Sequence, residues 1–302
     1  MRGARIAAVL LALAWAAAAR AEPLKVVASF SILGDLVRQV GGERVSVAVL
    51  VGPNGDAHGF VPSPGDARTL SGARLVVVNG LGFEGWIDRL VKASGTKAPV
   101  VVASAGVTPI EEAQEGRAHA GHGHEAHALD PHAWQNVANA KRYVASIRDG
   151  LIGVDPEGRA TYEARASAYL AELDALDAEV RRTVAAIPEA RRRVITTHDA
   201  FGYFARAYGL RFIAPQGVSS QSEATARDVA RIIRQVKRDR IPAVFLENVA
   251  DPRLMLQIAR ESGAKAGGRI FSDALSEPGG PAPTYIEMMR NNLREFSAAL
   301  AG

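Results

Sequence analysis

The chain has 302 residues, a formal net charge of +4 and no cysteine. The lack of cysteine excludes disulfides and thiolate metal sites, so a bound metal would need His, Asp, Glu or carbonyl ligands. Residues 1–21 carry Arg2, Arg5 and Arg20 and no acidic residue, which leaves a net charge of +1 on residues 22–302 and no reason to expect nucleic-acid binding.

The N-terminus has the pattern of a secretory signal peptide. Two arginines precede an apolar run from Ile6 to Ala19, and small residues flank Arg20. Because this run is too short to cross a bilayer comfortably, we predict cleavage after Ala21 and export to the periplasm. With no cysteine to carry a lipid, the exported chain is expected to have no membrane anchor.

Short apolar, β-branched segments alternate with helical patterns along residues 22–302. Strands are predicted at Leu24–Ser29, Val45–Val51, Leu75–Asn79, Val100–Ala103, Val194–Thr197, Arg211–Ala214, Ala243–Leu246 and Arg269–Phe271. Helices are predicted at Ile32–Val40, Phe201–Tyr208, Glu223–Arg238, Pro252–Ser262 and Pro283–Leu300. The alternation predicts an α/β fold with parallel sheets flanked by helices. The length suits two domains, which we predict at 22–154 and 189–302.

A long connecting helix is predicted at 155–188. Asp155 and Pro156 have the pattern of a helix start, and Pro188 ends the segment. Between them, apolar or aromatic residues recur at steps of three and four, which mark one helix face. About 30 residues at 1.5 Å each span roughly 45 Å, enough to join two lobes stiffly. Two shorter helices are the alternative, although no glycine or proline lies between Arg159 and Ile187 to separate them.

The chain has seven histidines, and three of them are isolated: His58, His132 and His198. Each follows a predicted strand or begins a predicted helix. Ligands of open α/β sheets bind beyond the carboxyl ends of the strands, so these three side chains could converge between the lobes. Taken singly, an isolated histidine is more often a core or surface residue than a ligand, and no H-E-x-x-H motif is present.

The sequences around these histidines are D-A-H-G-F, D-P-H-A-W and T-T-H-D-A-F-G-Y-F-A-R-A-Y-G-L, and the C-terminal part contains F-S-D-A-L-S-E-P-G-G-P-A-P-T-Y-I-E-M-M. With these motifs in this order, the chain resembles the solute-binding proteins of zinc and manganese ABC importers. The resemblance implies two α/β lobes joined by a rigid helix, with one metal buried between them. It also implies an inner-membrane permease as partner. The ligands that it implies are His58, His132, His198 and Asp273.

The resemblance also bears on which metal is bound. Zinc-type members of the family have histidine at the third ligand position, where many manganese-type members have glutamate, and here the residue is His198. Three imidazoles and a carboxylate suit Zn²⁺, whereas Mn²⁺ prefers an oxygen-rich shell. A manganese- or iron-specific member is the alternative. Glu247 or a water molecule could also replace Asp273 as fourth ligand.

Residues near the ligands in sequence are candidates for supporting roles. Three carboxylates could accept the second N–H of a ligand ring, or could simply stabilise turns: Asp56, Asp130 and Asp199. Three aromatic residues are expected to wall the site: Phe60, Trp134 and Phe201.

Four further histidines lie in a predicted loop at 113–128: His119, His122, His124 and His127. One hypothesis is transient capture of zinc for the cleft, with or without a periplasmic zinc chaperone. The other is an unstructured loop that binds metal only incidentally. Deleting 119–127 separates them, because unchanged zinc stoichiometry and transfer rate would contradict the capture role.

Two other classes of protein compete with a transport-binding protein. A zinc hydrolase would use an open metal position, but H-E-x-x-H and G-x-S-x-G motifs are absent, so no enzyme is expected. A metal-binding adhesin would need display at the surface, which the missing lipid-anchor cysteine disfavours. The expected form is a monomer.

Overall fold

The computed structural model describes residues 22–111, 129–220 and 224–301. The predicted signal peptide and the four clustered histidines, His119, His122, His124 and His127, lie outside the described residues. Within the described part of the chain, every helix is too short or too polar to cross a membrane.

The first lobe is built around a parallel sheet of four strands in the order β2-β1-β3-β4. Its elements are β1 (Leu24–Phe30), α1 (Ser31–Gly41), β2 (Val45–Val51), α2 (Pro64–Ser71), β3 (Leu75–Val78), α3 (Ile87–Ser94), β4 (Val100–Val102) and α4 (Val137–Val154). The central strand β3 is an unbroken run of buried apolar residues because helices cover both faces of a parallel sheet.

The second lobe repeats this arrangement with a parallel sheet in the order β6-β5-β7-β8. Its elements are β5 (Arg193–Ile195), α6 (Gly202–Tyr208), β6 (Arg211–Ile213), α7 (Ala226–Asp239), β7 (Ala243–Glu247), α8 (Arg253–Ser262), β8 (Lys265–Ile270) and α9 (Tyr285–Leu300). The predicted fold class is therefore confirmed: two lobes, each with a central parallel sheet flanked by helices. Thr225 caps α7 in a capping box with Asp228, so this helix begins later than the predicted Glu223.

The position of β8 differs from the prediction, which placed this strand at Arg269–Phe271. The strand begins at Lys265 and includes Gly267 and Gly268, residues that are untypical of strand interiors. A Cβ atom added at Gly267 would lie 2.6 Å from the ring of Phe245. The glycine therefore allows β8 to pass close to an aromatic ring of β7, a packing requirement that the β-branched pattern does not reveal.

The connection between the lobes is α5 (Arg159–Ala186), an unbroken helix of 28 residues, or about 42 Å at 1.5 Å per residue. The predicted start at Asp155 is wrong, because a separate 3₁₀ turn, Pro156–Gly158, precedes the helix. The carboxylate of Asp155 makes its main contacts with side chains instead. It accepts hydrogen bonds from the Arg44 guanidinium and from the Tyr162 hydroxyl, at 2.6 Å in the latter case.

The lobes also contact each other directly. Helix α9 packs on α5 and on α1 of the first lobe. There the backbone N–H of Tyr285 donates to the Asp35 carboxylate at 2.8 Å, and the N–H of Leu275 donates to Ser31 Oγ at 2.9 Å. One continuous cluster of buried apolar residues includes strands of both sheets. These contacts indicate a stiff molecule whose two sheets are held with a shared cleft between them.

Candidate metal centre

The structure brings the three isolated histidines and Asp273 together in that cleft. His58 follows β2, His132 precedes α4, His198 follows β5, and Asp273 follows β8. One ligand atom from each residue lies within 4.8 Å of the others, so segments that are distant in sequence form one group. Each strand concerned ends at the edge of its sheet that faces the other lobe, as expected for a site in a parallel α/β fold.

The separations between ligand atoms suit a shared cation. His58 Nε2 lies 3.2 Å from His132 Nε2, and His198 Nε2 lies 3.1 Å from Asp273 Oδ2. Asp273 Oδ2 is 3.5 Å from His58 Nε2, and its Oδ1 is 3.5 Å from His132 Nε2. A tetrahedral ion with bonds of about 2.0–2.1 Å separates its ligand atoms by roughly 3.3 Å. The three Nε2 atoms and one oxygen of Asp273 could therefore surround one ion with small adjustments.

The carboxylate of Asp273 is the group that most clearly needs a cation. Its side chain is 0% exposed, and within the described residues neither oxygen has a hydrogen-bond donor in suitable geometry. An unpaired carboxylate that is removed from water is strongly disfavoured. A divalent ion would supply the missing positive charge, so the donor set fits a metal.

The ring of His132 is oriented by a second carboxylate. Its Nδ1 lies 2.9 Å from Asp130 Oδ1, which also accepts the His132 backbone N–H at 2.9 Å. A proton on Nδ1 leaves the lone pair of Nε2 directed into the site. A Cβ atom at Gly202 would lie 2.5 Å from Asp130 Oδ2, so the glycine that begins α6 makes room for this carboxylate. Asp130 thus makes the contact with the His132 ring that the sequence predicts for a supporting carboxylate.

Glu247 contacts the ring of His198 in the way that Asp130 contacts the ring of His132. Its Oε2 lies 2.6 Å from His198 Nδ1, and its Oε1 accepts the backbone N–H groups of Thr197 and His198. Ser272 Oγ also donates to Oε2 at 2.9 Å. Glu247 therefore contacts the ring nitrogen that faces away from Asp273. This geometry favours Glu247 as a supporting group and not as the alternative fourth ligand.

The two halves of the site differ in their protonation. Burial lowers the pKa of His58 to about 4, so its ring is neutral at ordinary pH. Burial acts in the same direction on His198, but the carboxylates of Glu247 and Asp273 outweigh it and raise the pKa of His198 well above its usual value. Burial by itself would raise the pKa of Asp273, and the three neighbouring histidines hold it below its usual value. Without metal, a proton on His198 replaces part of the cation's charge.

The aromatic wall only partly matches the prediction. Trp134 contacts the site, with its ring 5.3 Å from that of His132. Phe60 packs on Trp86, at a ring distance of 4.8 Å, and Phe201 stacks on Phe212 in the second lobe. The printed ring contacts of these two residues are with other aromatic residues, so their place in the wall stays a prediction.

Phe83 is the aromatic residue that the sequence reasoning missed. Its ring centre lies 4.6 Å from that of His58 and 5.9 Å from that of His132. The carboxylate Glu84 next to it was missed as well. Their segment, G-L-G-F-E-G-W, follows β3 directly, and its position at a strand end was a signal that could have drawn attention to it.

Of the other two candidate carboxylates, Asp56 accepts a backbone hydrogen bond beside a ligand candidate, whereas the supporting role of Asp199 stays a prediction. Asp56 Oδ1 accepts the N–H of His58 at 2.9 Å, and Ser220 Oγ of the other lobe donates to Asp56 at 2.9 Å. Asp56 thus stabilises the ligand turn, as the alternative interpretation proposed. The backbone N–H of Asp199 donates to Gly217 O at 3.1 Å.

The peptide before Asp273 is held from the first lobe. Trp134 Nε1 and Gln135 Nε2 both donate to the carbonyl oxygen of Ser272, at 2.9 and 2.8 Å. Asp273 therefore connects to the His132 segment through a short bridge of hydrogen bonds. Its placement depends on both lobes.

Fold and site together define a class: a two-lobed α/β protein with a buried cluster of three histidines and one carboxylate between the lobes. The family model described as "Zinc-uptake complex component A periplasmic" matches residues 26–299. The chain belongs to this family of extracytoplasmic metal-binding, solute-binding proteins of ABC importers.

Individual relatives agree on the fold and differ in the metal that they are named for. The manganese-binding lipoprotein MntA of Halalkalibacterium halodurans is 36% identical, with 93% of this chain and 89% of that protein aligned. The iron-binding protein YfeA of Yersinia pestis is 30% identical, with 89% and 84% aligned. The solved structure of the periplasmic zinc-binding protein TroA from Treponema pallidum has a TM-score of 0.85 at 30% identity, with 93% and 100% covered.

Proposed function

We propose that this protein captures one Zn²⁺ ion with His58, His132, His198 and Asp273 and delivers it to an inner-membrane ABC permease. The observation that carries the proposal is the donor set: three imidazole nitrogens surround one buried carboxylate, for which the described residues offer no hydrogen-bond donor in suitable geometry. Zn²⁺ is the transported ligand in this proposal, and the protein supplies a closed place for it.

Zinc is favoured over manganese and iron by the chemistry of the donors. Imidazole nitrogen suits Zn²⁺, and a four-coordinate shell of nitrogen and oxygen is typical of zinc sites. Mn²⁺ prefers more oxygen ligands and stands below Zn²⁺ in affinity for a nitrogen-rich site. The relatives named for manganese and iron make those metals the competing ligands.

The rest of the proposal concerns export, oligomeric state, domain bounds and partners. We propose cleavage after Ala21, a free monomer in the periplasm, and lobes at 22–154 and 189–302 joined by the segment 155–188. Some relatives are named lipoproteins, so membrane anchoring is the competing arrangement. The segment 113–128 is proposed to capture zinc transiently, with a zinc chaperone as a further candidate partner. No catalytic role is proposed.

The metal preference can be tested by exchanging one ligand. Zinc and manganese affinities of residues 22–302 are measured by competition with a chromophoric chelator, for the wild type and for His198→Glu. We expect the wild type to bind one zinc ion and to prefer zinc over manganese. Replacing an imidazole by a carboxylate is expected to narrow that preference, because it adds an oxygen donor and removes a nitrogen donor. A wild-type protein that prefers manganese would contradict the proposal.

A further inference from the structure

The turn that joins β3 to α3, residues 79–86, has an unusual backbone. Gly80, Leu81 and Gly82 have φ angles of +86°, +56° and +80°. Three successive residues in the left-handed region are rare, and for leucine this conformation is unfavourable. Such backbone conformations persist when surrounding contacts hold them, and they concentrate at functional sites. The contacts of this turn are therefore informative.

Glu84 holds the turn from the inside. Its carboxylate accepts hydrogen bonds from Ser29 Oγ at 2.6 Å, from Asn79 N at 2.6 Å and from Gly80 N at 3.2 Å. Glu84 is buried, and burial raises its pKa while these hydrogen bonds act in the opposite direction. Because the donors come from β1 and from the first residues of the turn, the carboxylate ties the turn to the sheet and closes it on itself.

The turn reaches the His58 segment through Trp86. The indole Nε1 of Trp86 donates to the carbonyl oxygen of Ala57 at 2.7 Å, and Ala57 immediately precedes His58. The ring of Phe83 packs against the His58 ring itself, 4.6 Å away.

The same turn reaches the His132 segment through Asn79. Its Nδ2 donates to the carbonyl oxygen of Pro131 at 2.9 Å, and Pro131 immediately precedes His132. Tyr143 of α4 donates to Asn79 Oδ1 at 2.6 Å, which fixes the orientation of the amide. One turn thus donates hydrogen bonds to the carbonyl group that precedes each of the two first-lobe histidines.

We propose that the turn at residues 79–86, locked by Glu84, is the positioning element that sets His58 and His132 at the spacing required by the metal. This inference rests on the proposed function, in which these two histidines bind the ion. Glu84 acts through the turn and does not touch the metal. Its role is to hold the loops that carry His58 and His132 in fixed positions relative to each other.

The test compares two carboxylate-to-amide changes, one in the turn and one at the start of the connecting segment. Glu84→Gln replaces an acceptor oxygen by a donor beside the N–H groups of the turn. Asp155→Asn weakens contacts to Arg44 and Tyr162 beyond the far end of α4, a helix of 18 residues that is about 27 Å long. Three quantities are measured for each: zinc affinity, the thermal stability of the metal-free protein, and the visible spectrum of the Co²⁺-loaded protein.

We expect both changes to lower the thermal stability of the metal-free protein, but only Glu84→Gln to weaken zinc binding, by about 10-fold or more. Only Glu84→Gln should alter the Co²⁺ spectrum, because the geometry of the ligands changes. Wild-type zinc affinity and Co²⁺ spectrum in folded Glu84→Gln would overturn the inference. Equal losses of zinc affinity in both variants would overturn it too, because they would show a general effect of stability.

A milder change, Trp86→Phe, covers the case in which Glu84→Gln does not fold. It removes the hydrogen bond to Ala57 O and the part of the indole ring that makes it, and we expect zinc affinity to fall by about 2- to 5-fold. Unchanged affinity in this variant would contradict the link to His58. His132→Ala separates the two proposals. If this variant still binds zinc, the proposed function fails. If it does not bind zinc but the turn variants bind normally, only the positioning role fails.

Discussion

The two halves of the site are prepared for a cation in different ways. His58 and His132, from the first lobe, lie against Phe83, and burial keeps His58 neutral. His198, from the second lobe, lies between the carboxylates of Glu247 and Asp273 and takes up a proton readily. The first lobe thus offers two ring nitrogens, of which that of His58 is neutral. The second lobe supplies the carboxylate of the cluster, Asp273.

This difference bears on how a buried site with a carboxylate can remain stable without metal. A buried carboxylate with no counter-charge would destabilise the metal-free protein. We expect protonated His198 to provide that counter-charge in the metal-free protein, because the carboxylates of Glu247 and Asp273 raise its pKa. In the proposed site, a metal would then displace this proton.

The largest expected effect comes from removing a ligand. His132→Ala should weaken zinc binding by more than the roughly 100-fold that loss of an outer hydrogen-bond partner costs, because no neighbouring donor can take its place. Competition with a chromophoric chelator measures this. Gln257→Ala, at an exposed position of α8, is the control and should bind zinc as the wild type does. Equal affinities of the two variants would contradict the assignment of the site.

Glu247→Gln is expected to have the next largest effect, and it acts on the second lobe alone. The change keeps the size of the side chain but removes the charge beside His198, and zinc affinity should fall by about 10- to 100-fold. It should also reduce proton release on zinc binding, because His198 is then less protonated beforehand. Calorimetry in buffers of different ionisation enthalpy measures that release. Wild-type proton release in this variant would show that the displaced proton comes from another group.

The pH dependence of zinc affinity is expected to be a smaller effect, and it distinguishes the role of His198 from that of His58. Since the pKa of His198 is raised and that of His58 is lowered to about 4, zinc competes with a proton on His198 but not on His58 near neutral pH. Zinc affinity should rise by up to about 10-fold for each pH unit between pH 6 and 8. An affinity that is constant over this range would contradict the protonated state of His198.

The stability of the metal-free protein should fall as the pH rises, whereas zinc affinity should increase. A raised pKa means that protonated His198 stabilises the folded state. That contribution is complete below the unfolded value of about 6.5 and is lost as the pH rises through the folded value. Thermal unfolding of the metal-free protein at several pH values, compared with His198→Ala, isolates this contribution.

The parts of the site that could be predicted from the sequence are those that follow from the order of strands and motifs along the chain. Histidines at strand ends indicated a cleft site, and the surrounding motifs, through the resemblance, singled out Asp273. The role of Glu247 could not be predicted, because a carboxylate at the end of β7 could face either nitrogen of His198. Only the packing of β7 against β5 decides which one it contacts.

The fold was predicted at the level of elements and less well at their ends. The glycine-rich β8 was placed too late because its close contact with Phe245 overrides the usual strand composition. Asp155 was read as a helix cap because nothing in its neighbourhood reveals Arg44, more than a hundred residues earlier. The turn at residues 79–86 was overlooked for the same reason, since its importance comes from contacts with two distant loops.

The central claim is that one zinc ion is held by three imidazoles and Asp273. The most direct test is a crystal structure of residues 22–302 loaded with zinc, with anomalous diffraction at the zinc edge to locate the ion. We expect one buried ion bonded to Nε2 of His58, His132 and His198 and to the carboxylate of Asp273, with Glu247 still at Nδ1 of His198. An ion bonded to Glu247, or one located outside this cluster, would contradict the account.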